Sequence, residues 1–180
     1  MTDARDSMFM KAALAQAQAA AAIGEAPIGA IIVDPANDEI IAQAHNQPIS
    51  LKDPTGHAEI LALRKAAIKR DNYRLTGLEM FVTLEPCAMC AGAISHARIK
   101  RVVFAADDAK GGAVLNGPKF FDQPTCHWRP EISAGLMAED SAKMLKDFFK
   151  ARRKEQAEEK AQNKAKIKAE KPKPGETDGA

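Results

Sequence analysis

Two short stretches hold the side chains with the most chemistry, His57-Ala58-Glu59 and Pro86-Cys87-Ala88-Met89-Cys90. One imidazole and two thiols supply three ligands for a tetrahedral zinc ion. A three-ligand set leaves the fourth corner to water, as catalytic zinc sites do and closed structural sites do not. Glu59 follows His57 too closely to join it as a ligand without strain, so its carboxylate is free to carry protons to and from that water. Two residues between the cysteines let one helical turn aim both sulfurs at one ion. Taken alone, Cys-x-x-Cys also fits a redox pair or half of a structural zinc site. The redox reading leaves His57 and Glu59 without a task, and a structural site wants a fourth Cys or His. Together the four residues point to metal-assisted hydrolysis, with Zn2+ on His57, Cys87 and Cys90 and with Glu59 as the catalytic proton carrier.

Both halves of this constellation need to sit at helix starts, where unpaired amides and the positive end of the dipole favour anionic ligands and lower thiol pKa values. The turn residues Asp53-Pro54-Thr55-Gly56 break the chain just before His57. A helix is predicted from there to about Arg70, with Leu61 and Ile68 on one face. A strand over 80–84, a helix from about Pro86 to His96 and a strand over 101–106 predict a parallel crossover. Upstream, Ser7 suits the cap of a first helix whose inward stripe is Met10, Leu14, Ala17 and Ala21, with Gly24 as its stop. Apolar runs over 27–34 and 39–44, joined by Pro35-Ala36-Asn37-Asp38, predict a hairpin. Between Asp107 and Pro130 the glycines and prolines predict a long irregular segment with at most a short helical piece. A last amphipathic helix from about Met137 carries Leu145, Phe148 and Phe149 and extends through Arg153. The composition past Lys171 predicts a disordered tail.

A chain of 180 residues, 46% hydrophobic, is expected to form one domain over 1–153 followed by a charged tail over 154–180. Its formal charge of +2 hides an asymmetry: from Lys150 onward ten Lys/Arg face six Asp/Glu, against 16 and 18 before it. A basic C-terminal arm fits contact with phosphate, and equally a solvated helix end. Three cysteines, two of them in one pair, favour a metal site over a disulfide framework and a reduced cytoplasm. Neither a secretory signal nor a membrane span is expected. Cys126 beside His127 has no matching half-site nearby and reads as a free thiol, while His45 and His96 have no partner evident.

His-x-Glu followed by Pro-Cys-x-x-Cys is the pattern of zinc nucleobase deaminases, in which activated water attacks the amino-bearing carbon of a base and ammonia leaves. The stretches Asp53-Pro54-Thr55-Gly56-His57-Ala58-Glu59, Tyr73-Arg74-Leu75, 83–94 and His96-Ala97-Arg98-Ile99 resemble the bacterial tRNA-specific adenosine deaminases, over most of residues 8–153. The resemblance implies an α/β fold, a cytidine-deaminase-like three-layer α-β-α sandwich around a five-stranded mixed sheet. It implies a homodimer that converts adenosine to inosine at the wobble position in the anticodon arm of tRNA, with no organic cofactor. By position, it also implies that Asn46 lies in the nucleotide pocket, that the backbone at Leu84 and Glu85 meets the flipped base, and that Asp108 and Lys110 stand where a loop touches flanking nucleotides. Arg152 and Arg153 match the family's terminal helix, which lies near the RNA. Two departures stand out. Gly56 replaces an alanine, which predicts a looser helix start, and Thr125-Cys126-His127-Trp128 replaces an Asn-His pair. Two other readings stay open: a free guanine or cytosine deaminase with the same zinc chemistry, favoured less by Arg98, Lys100, Arg101, Lys110 and the basic end, and an inactive zinc protein that binds RNA or scaffolds a partner, in which Glu59 would have no use.

Overall fold

The computed structural model describes residues 4–170, with side chains described through residue 164. Five strands form one mixed sheet in the order β2-β1-β3-β4-β5. β1 (Gly29–Asp34) pairs antiparallel with β2 (Glu39–His45) and with β3 (Glu79–Leu84), and β3, β4 (Arg101–Ala106) and β5 (Glu131–Ala134) run parallel. The predicted hairpin and the parallel β3-to-β4 crossover are both present. Alternate residues of the central strands feed opposite faces. Ala30, Ile32, Met80, Val82, Val102 and Phe104 pack against α3 (Ala58–Arg70) and α4 (Ala88–Ala97), whereas Ile31, Val33, Phe81, Val103 and Ala105 pack against α1 (Ala4–Ala22) and the start of α5 (Ala138–Glu170). This is the three-layer arrangement that the resemblance implied.

α1 begins three residues before Ser7, which is therefore not its cap. Arg5 pairs with Asp38 and Glu79, and Arg101 pairs with Asp6, so charged groups from the far end of the sheet hold that first turn. Its buried face is Phe9, Met10, Ala13, Leu14, Ala17 and Ala20, wider than the predicted stripe because a sheet is flat and accepts two neighbouring rows of a helix. Ala20 takes the inner place assigned to Ala21. Gly24, at φ +77° with its N–H on the Ala21 carbonyl, ends the helix as expected.

In α3 only half of the predicted face turns inward, since Leu61 is half-buried against the core and Ile68 is not. Ile68 is 81% exposed, and the face turned inward is Ala58, Glu59, Ile60, Ala62, Leu63 and Ala66. Small residues let the helix axis approach the sheet, and that approach carries Glu59 inside. α4 starts at Ala88, so Pro86 precedes the helix instead of opening it. The sequence did not locate β5, a four-residue edge strand after Pro130 with no apolar alternation, or the one-turn α2 (Pro48–Leu51). Between β4 and β5 the only regular piece among the described residues is a 3-10 turn, Phe120–Asp122. α5 runs through position 153 without a break to Glu170, and every described residue from Arg153 to Lys164 is exposed. The end past Lys171 lies outside the described residues. Among the described residues, no helix is long and apolar enough to cross a membrane.

Candidate zinc centre and active site

His57 and Cys87 are the residues immediately before the first turns of α3 and α4, both in extended backbone conformation, and Cys90 lies one turn into α4. The Nδ1 atom of His57 stands 3.7 Å from the Cys87 sulfur and 3.6 Å from the Cys90 sulfur. Zinc bonds of about 2.0–2.1 Å to nitrogen and 2.3 Å to sulfur, opened to the tetrahedral angle, put those atoms roughly 3.6 Å apart. The three ligand atoms lie within 4.8 Å of one another, so the donor set fits one tetrahedral zinc with a corner to spare.

The electrostatics of the four groups follow from their closeness. Hydrogen bonding from Cys90, then from His57, holds the Cys87 thiol down to about 4, a thiolate at neutral pH. Cys90, facing that sulfur and buried, is pushed up. His57 is raised by its hydrogen bond to Cys87. Burial pushes the Glu59 carboxyl up, and the negative charge on Cys87 adds to it. A divalent cation reverses this local logic, because coordination deprotonates both thiols outright.

Asn46 follows β2, is buried, and accepts the Ala58 N–H on Oδ1 at 3.0 Å. It thereby satisfies an orphan donor at the start of the metal-binding helix. Its amide nitrogen makes no protein hydrogen bond among the described residues. Gly56 does not loosen this start. Its N–H donates to Asp53 O, its carbonyl accepts from Gln47, and a Cβ there would stand 3.1 Å from the Asp53 oxygen and 3.3 Å from the Gln47 and Pro48 backbone. Glycine therefore lets 53–56 pass close under 47–48.

Leu84 ends β3 opposite Ala106, and the Glu85 N–H donates to the Ala106 carbonyl. The Glu85 side chain has a task the sequence reading missed. Its buried carboxylate accepts the backbone N–H groups of Asp108, Val114, Leu115 and Asn116 and the Asn116 amide, and those bonds hold its pKa down against the effect of burial. The segment after β4 is thus tied down at the metal site: Ala113 N–H reaches Pro86 O, and Gly112 bridges Cys87. A Cβ on Gly112 would lie 2.5 Å from the Asp108 carbonyl and the Glu85 carboxylate, and the Gly111-Gly112 pair was the available signal for so close an approach.

Asp108 accepts the Lys110 and Gly111 N–H groups on Oδ1, leaving the Lys110 side chain exposed. Arg153 is exposed, whereas Arg152 is half-buried with its guanidinium beside Gly24. The structure thus gathers His57, Glu59, Cys87, Cys90 and Asn46 at two helix starts, seats Leu84, Glu85 and Asp108 along the adjoining loop, and leaves Lys110 and Arg153 at the surface. Cys126 is half-buried, with its thiol on the Trp128 carbonyl at 3.1 Å, and His45 meets Gln16.

Comparison with known proteins agrees with this geometry. The family described as the zinc-binding region of cytidine and deoxycytidylate deaminases matches residues 3–106. A tRNA-specific adenosine deaminase of Haemophilus influenzae is 47% identical over 87% of this chain and 90% of its own length. A solved tRNA:A34 deaminase, studied for A-to-I editing at the wobble position of transfer RNA, superposes with a TM-score of 0.75 at 46% identity, covering 77% of this chain and 99% of that one. The guanine deaminase of Nitrosomonas europaea, with a TM-score of 0.70 at 22% identity over 79% of this chain and 83% of that one, shares the fold. With the family match over more than half of its length and 47% identity to a relative that it covers almost entirely, the chain belongs to the zinc-dependent cytidine and deoxycytidylate deaminase family, in the branch of the tRNA-specific adenosine deaminases.

Proposed function

We propose that this chain is a zinc-dependent hydrolase that deaminates adenosine to inosine at the wobble position of the tRNA anticodon arm, consuming water and releasing ammonia. The observation that carries the reading is the buried Glu59 carboxyl beside a three-donor set with tetrahedral spacing. The relative of Haemophilus influenzae bears the name of this activity at 47% identity. His57, Cys87 and Cys90 hold the metal, which when bound supplies Lewis-acid activation of water at its open position. With the metal in place, Glu59 would take a proton from the activated water, pass it to the ring nitrogen and deliver the next to the departing amine, a relay for which its buried position beside the donor set suits it. Asn46 presents its free amide nitrogen to the nucleotide while its oxygen fixes the start of α3. The backbone at Leu84 and Glu85 flanks the base, and the loop that Glu85 braces sets Asp108 and Lys110 against neighbouring nucleotides.

The chemistry of α5 supports a polyanionic substrate. Lys146, Lys150, Arg153, Lys160 and Lys164 are exposed, have no ion pair among the described residues, and fall within roughly an 80° arc of the helix over about 27 Å. Arg152 and Arg153 sit where this stripe meets the body. We read 1–153 as the deaminase domain and 154–180 as its charged appendage, and place the enzyme in the cytoplasm with its substrate. Apolar surface between α3 and α4, where Met89 is exposed and Ala93 half-buried, supports a homodimer.

Purified protein incubated with tRNA bearing a wobble adenosine, and in parallel with guanine, cytosine and cytidine, tests the reading. Inosine in the tRNA is the expected product. Ammonia from a free base or nucleoside alone would replace the proposal with a small-substrate deaminase, and no product from any arm would favour an inactive zinc protein.

A further inference from the structure

A second cavity lies between the C-terminal half of α4, the 73–74 turn and the 120–128 segment. It is about 440 Å3, within the roughly 300–1,000 Å3 typical of small-ligand sites. None of its lining residues is acidic, while Arg74, Arg98, His96 and His127 line it, and neither arginine has an ion pair among the described residues. Unpaired guanidinium groups around a concavity suit planar, bidentate recognition of phosphate. Tyr73, Phe120 and Trp128 add aromatic faces, and Gly92, Ser95, Thr125 and Cys126 complete the lining.

Trp128 is held as a fixed platform. Its indole N–H donates to the Ile99 carbonyl at 2.6 Å, and its own carbonyl accepts from the Ser95 hydroxyl at 2.9 Å and the Cys126 thiol at 3.1 Å. A ring locked in this way loses little freedom when a flat ligand stacks on it. Arg74 lies 5.0 Å from the Tyr73 ring centre, a second stacked pair of cation and π-face at the rim. Aromatic faces with unopposed guanidinium groups are what single nucleotides need: the ring takes the base in any sequence, and the cations take the phosphate.

We propose that this cavity binds a nucleotide unit, one base with its phosphate, separately from the zinc centre. The same chemistry is offered by a free mononucleotide and by an unpaired nucleotide of an RNA strand.

Trp128 is the only tryptophan of the chain, so its emission reports on the cavity alone. Full-length, zinc-loaded protein is excited at the red edge of indole absorption and titrated with uridine 5′-monophosphate, which has no amino group to remove, with uridine, with inorganic phosphate and with oligouridylate. Equilibrium dialysis of the same ligands accompanies the titration. Saturable quenching by the nucleotide is expected, with uridine and phosphate each binding far more weakly. Arg74→Gln and Arg98→Gly should each raise the apparent Kd about tenfold, the loss of one charge-assisted contact. Glycine suits position 98 because Arg98 has a φ of +57°, so that variant keeps its backbone. Tighter binding of oligouridylate than of the mononucleotide identifies an RNA strand as the source, and the reverse identifies a free nucleotide. The proposal is overturned if neither ligand binds saturably, or if binding is unchanged in both arginine variants. None of these readouts depends on deamination, so the zinc-site reading and this one fail separately.

Discussion

The Glu85 carboxylate accepts from both nitrogens of Asn116, the backbone N–H at 2.9 Å and the side-chain Nδ2 at 2.6 Å. One acidic side chain at the end of β3 thereby closes a loop whose far end lies 31 positions downstream. Replacing it with alanine leaves the buried backbone donor of Val114 and the part-buried donors of Leu115 and Asn116 with no acceptor, and a buried donor left so costs about 1–3 kcal/mol. Glu85→Ala should lower stability in urea by roughly 2–4 kcal/mol and reduce turnover, because the segment beside Cys87 loses its brace. Wild-type stability in this variant would remove the carboxylate from that role.

Glu59 is buried without being a metal donor, so its loss should separate binding of zinc from chemistry. In Glu59→Gln, metal content by elemental analysis should stay near one zinc per chain while turnover falls by at least about 100-fold. Turnover near wild type would exclude Glu59 as the proton carrier.

Zinc bound to the folded state only should stabilise it by mass action, about 2.7 kcal/mol at a hundredfold excess over the dissociation constant. Dialysis against a chelator is expected to lower Tm, and restoring zinc to recover it. Cys90→Ser should show the lower Tm with or without added zinc. A melting curve indifferent to chelator would argue that His57, Cys87 and Cys90 hold no ion.

Asn46 performs two tasks with two different atoms. Aspartate keeps an oxygen for the Ala58 N–H but offers no amide donor. Asn46→Asp should therefore hold stability within about 0.5 kcal/mol while weakening substrate binding, whereas Asn46→Ala should also cost about 1 kcal/mol of stability. Equal stability losses in both would assign Asn46 to packing alone.

The logarithm of the affinity for tRNA should fall linearly with the logarithm of salt concentration. Exchanging Lys160 and Lys164 for glutamine should flatten that slope by roughly 0.7–0.9 per cation that meets a phosphate, and leave zinc content unchanged. An unaltered slope in a filter-binding series would place the end of α5 away from the RNA.

The candidate zinc donors were legible in the sequence because their chemistry is local. Cys87 and Cys90 are three positions apart on one turn, and Glu59 is two from His57, so residue type and spacing imposed the donor set before any fold was known. Strands and helices with strong apolar patterns were equally readable, from the β1-β2 hairpin to the crossover around α4. What only tertiary structure decided depends on partners far along the chain. The inward face of α3 is the alanine-rich one holding Glu59, and Ile68 points to water, because close approach to the sheet outweighs side-chain size. Four-residue β5 exists through pairing with β4, not through its own composition. The Glu85 side chain is the acceptor for a distant loop, a role fixed by burial and hydrogen-bond geometry that linear spacing does not encode.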